Sequence, residues 1–414
     1  MSRTGIAGGN APHIGVLPSG PRGTIADVDG VTVGHCTLDD GAVQTGVTVI
    51  CPHGGDPFLA KVPAAASVIN GFGKSIGLVQ VEELGVLETP IALTNTFGVA
   101  AVAQAQIRAA IQAHPQIGRE WSTVNPLVFE CNDGYLNDIQ ALAVSERHYA
   151  DACEAASVDV ASGSVGAGRG MSCFDLKGGI GNASRVVDVA GRSYTVGALV
   201  LANFGRLPML TIDGAPLGRV LAERAAEAVS TGAAALAHPA NPTASANPTA
   251  SANPTVSANP TVSTNPTVST NPTAPANPTA STNPAVQSTA AKPEQGSIIM
   301  IVATDAPLDA RQLKRLSLRA AAGLARTGSV YGHGSGDIAL AFSTAYTVPH
   351  QSDFVALPPV LADARLDPLF RACADSVEQA IVDALWSATS VTGRDGHRRL
   401  SLQDTVPDLA QLLK

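Results

Sequence analysis

Between residues 241 and 288 the chain runs through eight hexapeptide units: NPTASA, NPTASA, NPTVSA, NPTVST, NPTVST, NPTAPA, NPTAST and NPAVQS. This tract limits what the rest of the chain can fold into. It contains no charged residue and no Leu, Ile, Phe, Tyr or Trp, so it cannot bury enough apolar surface to offset the entropy of ordering it. Each Asn-Pro step also holds the Asn out of the helical region. The expectation is a disordered, polyproline-like linker over 241–288. A six-residue β-helix solenoid would need bulky apolar side chains to stack, and Ala and Val are too thin for that. The fold must therefore come from 1–240 and 289–414. The second piece opens on the apolar strand SIIMIVAT at 297–304, which needs cover on both faces. The two pieces are expected to form one domain interrupted by an insertion, since loop-closure entropy grows slowly with length.

Composition narrows the class. Of 414 residues, 45% are hydrophobic and 14% charged, with a net charge of −8, which fits a folded rather than a disordered chain. The acidic balance and 4% aromatic content argue against a nucleic-acid partner. Apolar runs such as 196–202 fall far short of the roughly 20 residues that cross a bilayer. The start, MSRTGIAGGN, has no apolar signal core. No membrane partner and a cytoplasmic location are expected. Cys36, Cys51, Cys131, Cys153, Cys173 and Cys373 are scattered without a C-x-x-C pair, so free thiols are expected rather than disulfides. The His show neither H-E-x-x-H nor H-x-H spacing, and no metal is expected.

Strands are predicted at 31–35, 45–50, 91–95, 127–130 and 194–203 from β-branched content. Residues 99–113 and 217–235 are Ala-rich with helical apolar spacing. Asp309 is placed to cap a helix running to about Arg326, with Gly328 just past its end. A strand at 338–344 and a long helix through Val377, Ile381, Ala384 and Leu385 follow. Strands buried under helices make a layered α/β sandwich.

Several clusters carry chemistry. Gly296-Ser297 stands at the entry to the apolar strand. Ser297 is either a strand-start group or a nucleophile that attacks the Gly296 carbonyl and cuts the chain, with glycine allowing the strained geometry. Cleavage would free an α-amine on Ser297, whose ordinary pKa of about 7.7–8.0 suits a general base, joining nucleophile and base in one residue. In GHGSGD (332–337), glycines suit a turn, but Ser335 and Asp337 alternate around Gly336 and can share one face, where hydroxyl and carboxylate could relay the nucleophile's proton; His333 reads as a loop residue. In FECNDGYLNDI (129–139), Glu130, Asp133 and Asp138 suit turn and helix caps. Glu130 differs because it follows LVF: partly buried, it calls for a cation, and a substrate ammonium is one candidate. The glycines of 163–184 lack both phosphate-binding patterns, as does Gly73-Lys74-Ser75, which has Val68 where the first glycine would stand; a wall beside an active site is the better reading. Asn203 closes GALVLAN as a turn former or an amide donor to an oxyanion.

These motifs run in order along nearly the whole chain: IADVDGVTVGH (25–35), ECNDGYLNDI (130–139), GAGRGMSCFDLKGGIGNASR (166–185), ALVLANFG (198–205), GSIIMIVATDAPL (296–308), LARTGS (324–329), SGDIALAFSTA (335–345) and TGRDG (392–396). Together they resemble the self-cleaving aminopeptidases that include the L-aminopeptidase/D-esterase and the β-aminopeptidases. The repeat tract sits where that family carries a variable linker.

The resemblance implies an α+β fold, a four-layer αββα sandwich similar to N-terminal-nucleophile hydrolases but connected differently. It implies cleavage between Gly296 and Ser297, giving α chain 1–296 and β chain 297–414 of one catalytic domain. Ser297 matches the nucleophile, Ser335 the second serine, Glu130 the acid that holds the substrate's amino group, and Asn203 the oxyanion amide. Asp337 falls where β-aminopeptidases have Glu, so the charge is kept but shifted. The implied enzyme is a serine aminopeptidase acting on short peptides, amides or esters with a free amino group, including β- or D-amino acid substrates. It would need no cofactor and form a homo-oligomer of αβ units, commonly four. The alternatives are a hydrolase of ω-amino acid oligomers, an acyltransferase like the ornithine acetyltransferases, and a binding protein on an inactive scaffold.

Overall fold

A computed structural model of the protein describes residues 11–230 and 295–412. The chain divides into a unit of residues 1–227 with 293–414 and a second unit of 228–292; the two sheets and the candidate site belong to the first. The repeat tract, expected to be a disordered linker, and residues 231–235 of the expected helix lie outside the described residues.

Two sheets form the middle of the molecule. The smaller contains β1 (Thr32–Asp40), β2 (Val43–Cys51), β4 (Ile91–Asn95) and β5 (Val128–Cys131), in the order β1-β2-β4-β5. The larger is built on β3 (Ala60–Gly71), β6 (Gly179–Val189), β7 (Arg192–Asn203), β8 (Gln295–Thr304) and β9 (Gly334–Ser343), in the order β3-β9-β8-β7-β6, with the short segments Val86–Leu87 and Val348–Pro349 pairing with β3. β8 runs antiparallel to β7 and parallel to β9. The helices are α1 (Leu78–Leu84), α2 (Val99–Ala113), α3 (Glu146–Glu154), α4 (Leu217–Ser230), α5 (Ala310–Arg326) and α6 (Asp367–Trp386).

The cores show the layering. Ile299, Ile301, Ile338, Leu340, Leu199 and Leu201 of the larger sheet share one core with Val33, Ile50, Leu93 and Phe129 of the smaller. The alternate residues Ile298, Met300, Val302, Ala339 and Ala341 pack instead with Leu313, Leu316 and Leu324 of α5 and Val377, Ile381 and Leu385 of α6. Val47, Val49 and Ala92 pack with Val99, Val102 and Tyr149 from the α2 and α3 layer. The order is α, β, β, α, and both faces of β8 are apolar because both are buried. This is the four-layer αββα sandwich that the resemblance implied.

Local signals agree with this packing. Asp309 Oδ1 accepts from Gln312 N at 2.7 Å, and the Gln312 side chain returns a bond to Asp309 N, a capping box at the start of α5. Gly328, with φ +103°, follows its end, and a Cβ there would lie 1.9 Å from Met209 O. Two strands differ from expectation. β3 is hidden in AKVPAAASVING, and β6 occupies part of the stretch expected to be a glycine-rich wall. In β6, Gly181 lets α6 approach so closely that a Cβ would fall 1.8 Å from Ala380 O.

Candidate active site

β8 starts at Gln295, so Gly296 and Ser297 both lie inside the ladder rather than before it. Ser297 pairs with Asn203 on β7 and with Gly336 on β9. Gly296 has φ +118°, and a Cβ on it would sit 2.1 Å from Asn203 O and 2.9 Å from Phe204 Cα. The position thus requires glycine twice over, by backbone conformation and by space. Ser297 Oγ accepts from Gly336 N at 3.1 Å, and the Ser297 carbonyl lies 3.4 Å from Cys131 Sγ.

On the β9 side, Ser335 Oγ donates to Asp337 Oδ1 at 2.5 Å, and both residues are buried. The alternation around Gly336 therefore brings these two side chains together. Gly336 itself has no room for a side chain: a Cβ would lie 2.7 Å from Phe72 O and 3.1 Å from Ser297 Oγ. The turn at 72–74 forms a roof here, where β3 leaves the sheet after a bulge opposite Asp337 and Ile338; bulges commonly re-aim chain beside active sites. His333 lies in the loop next to Phe72, with ring centroids 6.4 Å apart.

Glu130, on β5, is 3% exposed. Its Oε1 accepts from Lys74 N at 2.8 Å, and its Oε2 accepts from the Thr96 hydroxyl. A Cβ placed on Gly73 would be 3.6 Å from Glu130 Oε1 and 3.9 Å from Gly336 Cα, so the carboxylate lies toward the β9 side of β8. Among the described residues Glu130 forms no ion pair. Both of its donors, a backbone N–H and a hydroxyl, are neutral, and a buried carboxylate calls for a cationic partner.

On the β7 side, Asn203 Oδ1 accepts from Ser172 N and its Nδ2 donates to Asn132 O, both at 2.9 Å. The backbone N–H of Ser172 fixes which end of the carboxamide is oxygen, and the amide keeps a second N–H. Asp138 is the turn cap, accepting from Gln140 N at 3.2 Å. Asp133 is buried against Asn137 (3.0 Å), and burial pushes its pKa up to about 6. Thr96 and Phe72 lie in no motif, and Cys131, Ser172, Gly73 and Lys74 stand in segments quoted for other reasons; all of them join the site only through folding. A cavity of about 650 Å³ beside α2 and α3, lined by residues including Gln106, His114 and Tyr149, shares no residue with this cluster.

Residues 23–399 match the sequence profile described as peptidase family S58. The chain belongs to this family. It is 36% identical to the β-peptidyl aminopeptidase BapA of Sphingosinicella microcystinivorans, over 94% of this chain and 88% of that protein. Two solved structures are similar in fold. The PH0078 protein of Pyrococcus horikoshii OT3 has a TM-score of 0.77 and 40% identity, covering 97% of this chain and 96% of that one. The L-aminopeptidase D-Ala-esterase/amidase of Ochrobactrum anthropi, described as a new variant among the Ntn hydrolase fold, has a TM-score of 0.74 and 30% identity, covering 97% and 98%. The S58 chain is thus a serine aminopeptidase built on the N-terminal-nucleophile-hydrolase-like sandwich. Among the described residues, no helix is long and apolar enough to cross a membrane.

Proposed function

We propose that this aminopeptidase matures by cutting its own Gly296–Ser297 bond and then uses Ser297 to remove N-terminal residues from short peptides, amides or esters, including those that begin with a β- or D-amino acid. The observation that supports this most is the placement of Ser297 between Asn203 and Gly336, directly after a glycine in a conformation and space that no other residue fits. In maturation, Ser297 Oγ attacks the Gly296 carbonyl carbon. The C–N bond breaks as the proton passes to nitrogen, and water hydrolyses the resulting ester, leaving α chain 1–296 and β chain 297–414 of one catalytic domain interrupted by a linker.

In turnover, the freed α-amine of Ser297 takes the hydroxyl proton as Oγ attacks the substrate carbonyl. The second N–H of Asn203 is the donor available to the oxyanion, while the Gly336 N–H holds Ser297 Oγ. The amine, supported by the Ser335–Asp337 pair, returns the proton to the leaving group, and water releases the acyl product. Glu130 holds the substrate ammonium and so selects for a free amino group. Assembly into a homo-oligomer of four αβ units and a cytoplasmic location follow the same reading.

Mass spectrometry of the purified protein tests maturation: two chains meeting at 296/297 are expected, and a single uncut chain in the Ser297→Ala variant. A cut Ser297→Ala protein, or an active uncut wild type, would overturn the assignment. Assays on β-alanyl, L-alanyl and D-alanyl amides then rank the acyl groups.

A further inference from the structure

Among the described residues, one cation beside this site, Arg399, forms no ion pair. Arg399 lies in the short hairpin formed by Val391–Thr392 and Arg398–Arg399, paired with Val391. Its guanidinium is stacked 3.7 Å from the Tyr135 ring centroid, and its Nε donates to Ser172 Oγ at 3.2 Å. Ser172 is the residue whose N–H holds Asn203 Oδ1. Arg399 is therefore two hydrogen bonds away from the proposed oxyanion amide. The nearby acid, Asp175, is engaged by Arg206 at 3.1 Å and by Leu207 N at 3.1 Å. Burial disfavours the charged form of Arg399 and pulls its pKa below the ordinary value, while the nearby Asp175 carboxylate pushes it the other way. With Nε and the ring face occupied, the outer edge of the fork is what remains, and that edge matches a carboxylate bidentately.

The two charged anchors lie on opposite flanks of the nucleophile strand. Glu130 lies beside Gly73 and Gly336, on the β9 flank. Arg399 is tied to Asn203, on the β7 flank. A substrate whose ammonium sits on Glu130 and whose carbonyl carbon meets Ser297 Oγ must send its leaving amine away from Glu130, toward Asn203 and Arg399. We propose that Arg399, held by Tyr135 and Ser172, is a subsite for the free carboxylate of the leaving amino acid. The preferred substrates are then short peptides with both termini free, above all dipeptides. This rests on the aminopeptidase reading and deepens it.

The test compares kcat/KM of the mature enzyme for β-alanyl-L-alanine and for the same dipeptide carrying a C-terminal amide. The free acid is expected to be favoured at least tenfold. Arg399→Met should lower that preference tenfold or more, chiefly through KM for the acid, and Arg399→Lys should restore part of it. Tyr135→Leu, which removes the stack and leaves the charge, should lower the preference in the same direction and serves if Arg399→Met fails to mature. Equal wild-type rates on acid and amide would overturn the subsite while leaving the aminopeptidase reading intact. Parallel losses of kcat on both substrates in Arg399→Met would also overturn it, showing that Arg399 only positions Asn203 through Ser172. No wild-type turnover of either peptide would overturn the aminopeptidase reading itself, and the subsite with it.

Discussion

Asn203 and Ser297 face each other as cross-strand partners between β7 and β8, and the residue before Ser297 runs so close to Asn203 that a Cβ there would lie 2.1 Å from the Asn203 carbonyl oxygen. The same pair thus bears on two proposed steps. The Asn203 backbone forces glycine at 296, which sets the geometry of the scissile bond. The Asn203 side chain, the proposed oxyanion donor, is held by Ser172 and Asn132.

Gly296→Ala puts a methyl group into that contact and asks alanine for φ +118°, so β8 must shift at its first rungs. Self-cleavage should slow at least tenfold, read as uncut chain on a denaturing gel over time after synthesis. Cleavage at the wild-type rate would show that the local geometry of Gly296 is not needed for the attack.

Removing the Asn203 carboxamide deletes one oxyanion donor and leaves Ser172 N without its acceptor. Loss of a single such donor costs about 10²–10³ in kcat. Asn203→Ala, assayed as matured protein, should show a loss in that range with a much smaller change in KM. A drop confined to KM would place Asn203 in substrate binding instead.

Glu130→Gln keeps the shape of the side chain and an acceptor oxygen while removing the charge. Truncating one side of a buried, hydrogen-bonded charge pair costs about 2–5 kcal/mol, roughly 30-fold or more in kcat/KM for substrates with a free amine. N-acetylated substrates should lose nothing comparable, so the preference for a free amine should collapse. Equal losses on both would mean that Glu130 supports the roof through Lys74 and Thr96 rather than the substrate.

How much of this was legible in the sequence depended on whether local chemistry and packing asked for the same thing. Ile298 to Ala303 read as a doubly buried strand because each face meets its own core, and Asp309 reads as a cap because its partner is three residues away. β3 was hidden because Ala64, Ala65 and Ala66 are weak strand formers and Pro63 suggests a break; in the fold, Pro63 pairs with the two-residue segment Val86–Leu87. Gly181 belongs to the stretch expected to wall an active site, yet it serves the close approach of α6. Glu130 could be singled out from the apolar run before it, whereas its partners Lys74 and Thr96 lie in other loops with no pattern linking them. Arg399 carries no sequence signal for the same reason: its meaning comes from Tyr135 and Ser172, both far away along the chain.

Asp133 gives the last prediction, one about pH. It is buried on the loop after β5, and burial raises its pKa from 3.8 to about 6, against the pull of Thr45, Asn137 and Asn95. A carboxyl whose folded pKa lies above its unfolded value stabilises the fold fully below the unfolded pKa and loses that contribution as pH rises through the folded one. Between about pH 4 and 6 the folded protein keeps a proton that the unfolded chain has released, so stability falls with rising pH. Two pKa units correspond to something on the order of 3 kcal/mol. Asp133→Asn, with no proton to lose, should therefore gain on the wild type across that interval: the difference in Tm between variant and wild type should rise by several degrees from pH 4 to pH 6 and level off above pH 7. A difference independent of pH would mean that Asp133 titrates alike in the folded and unfolded chains.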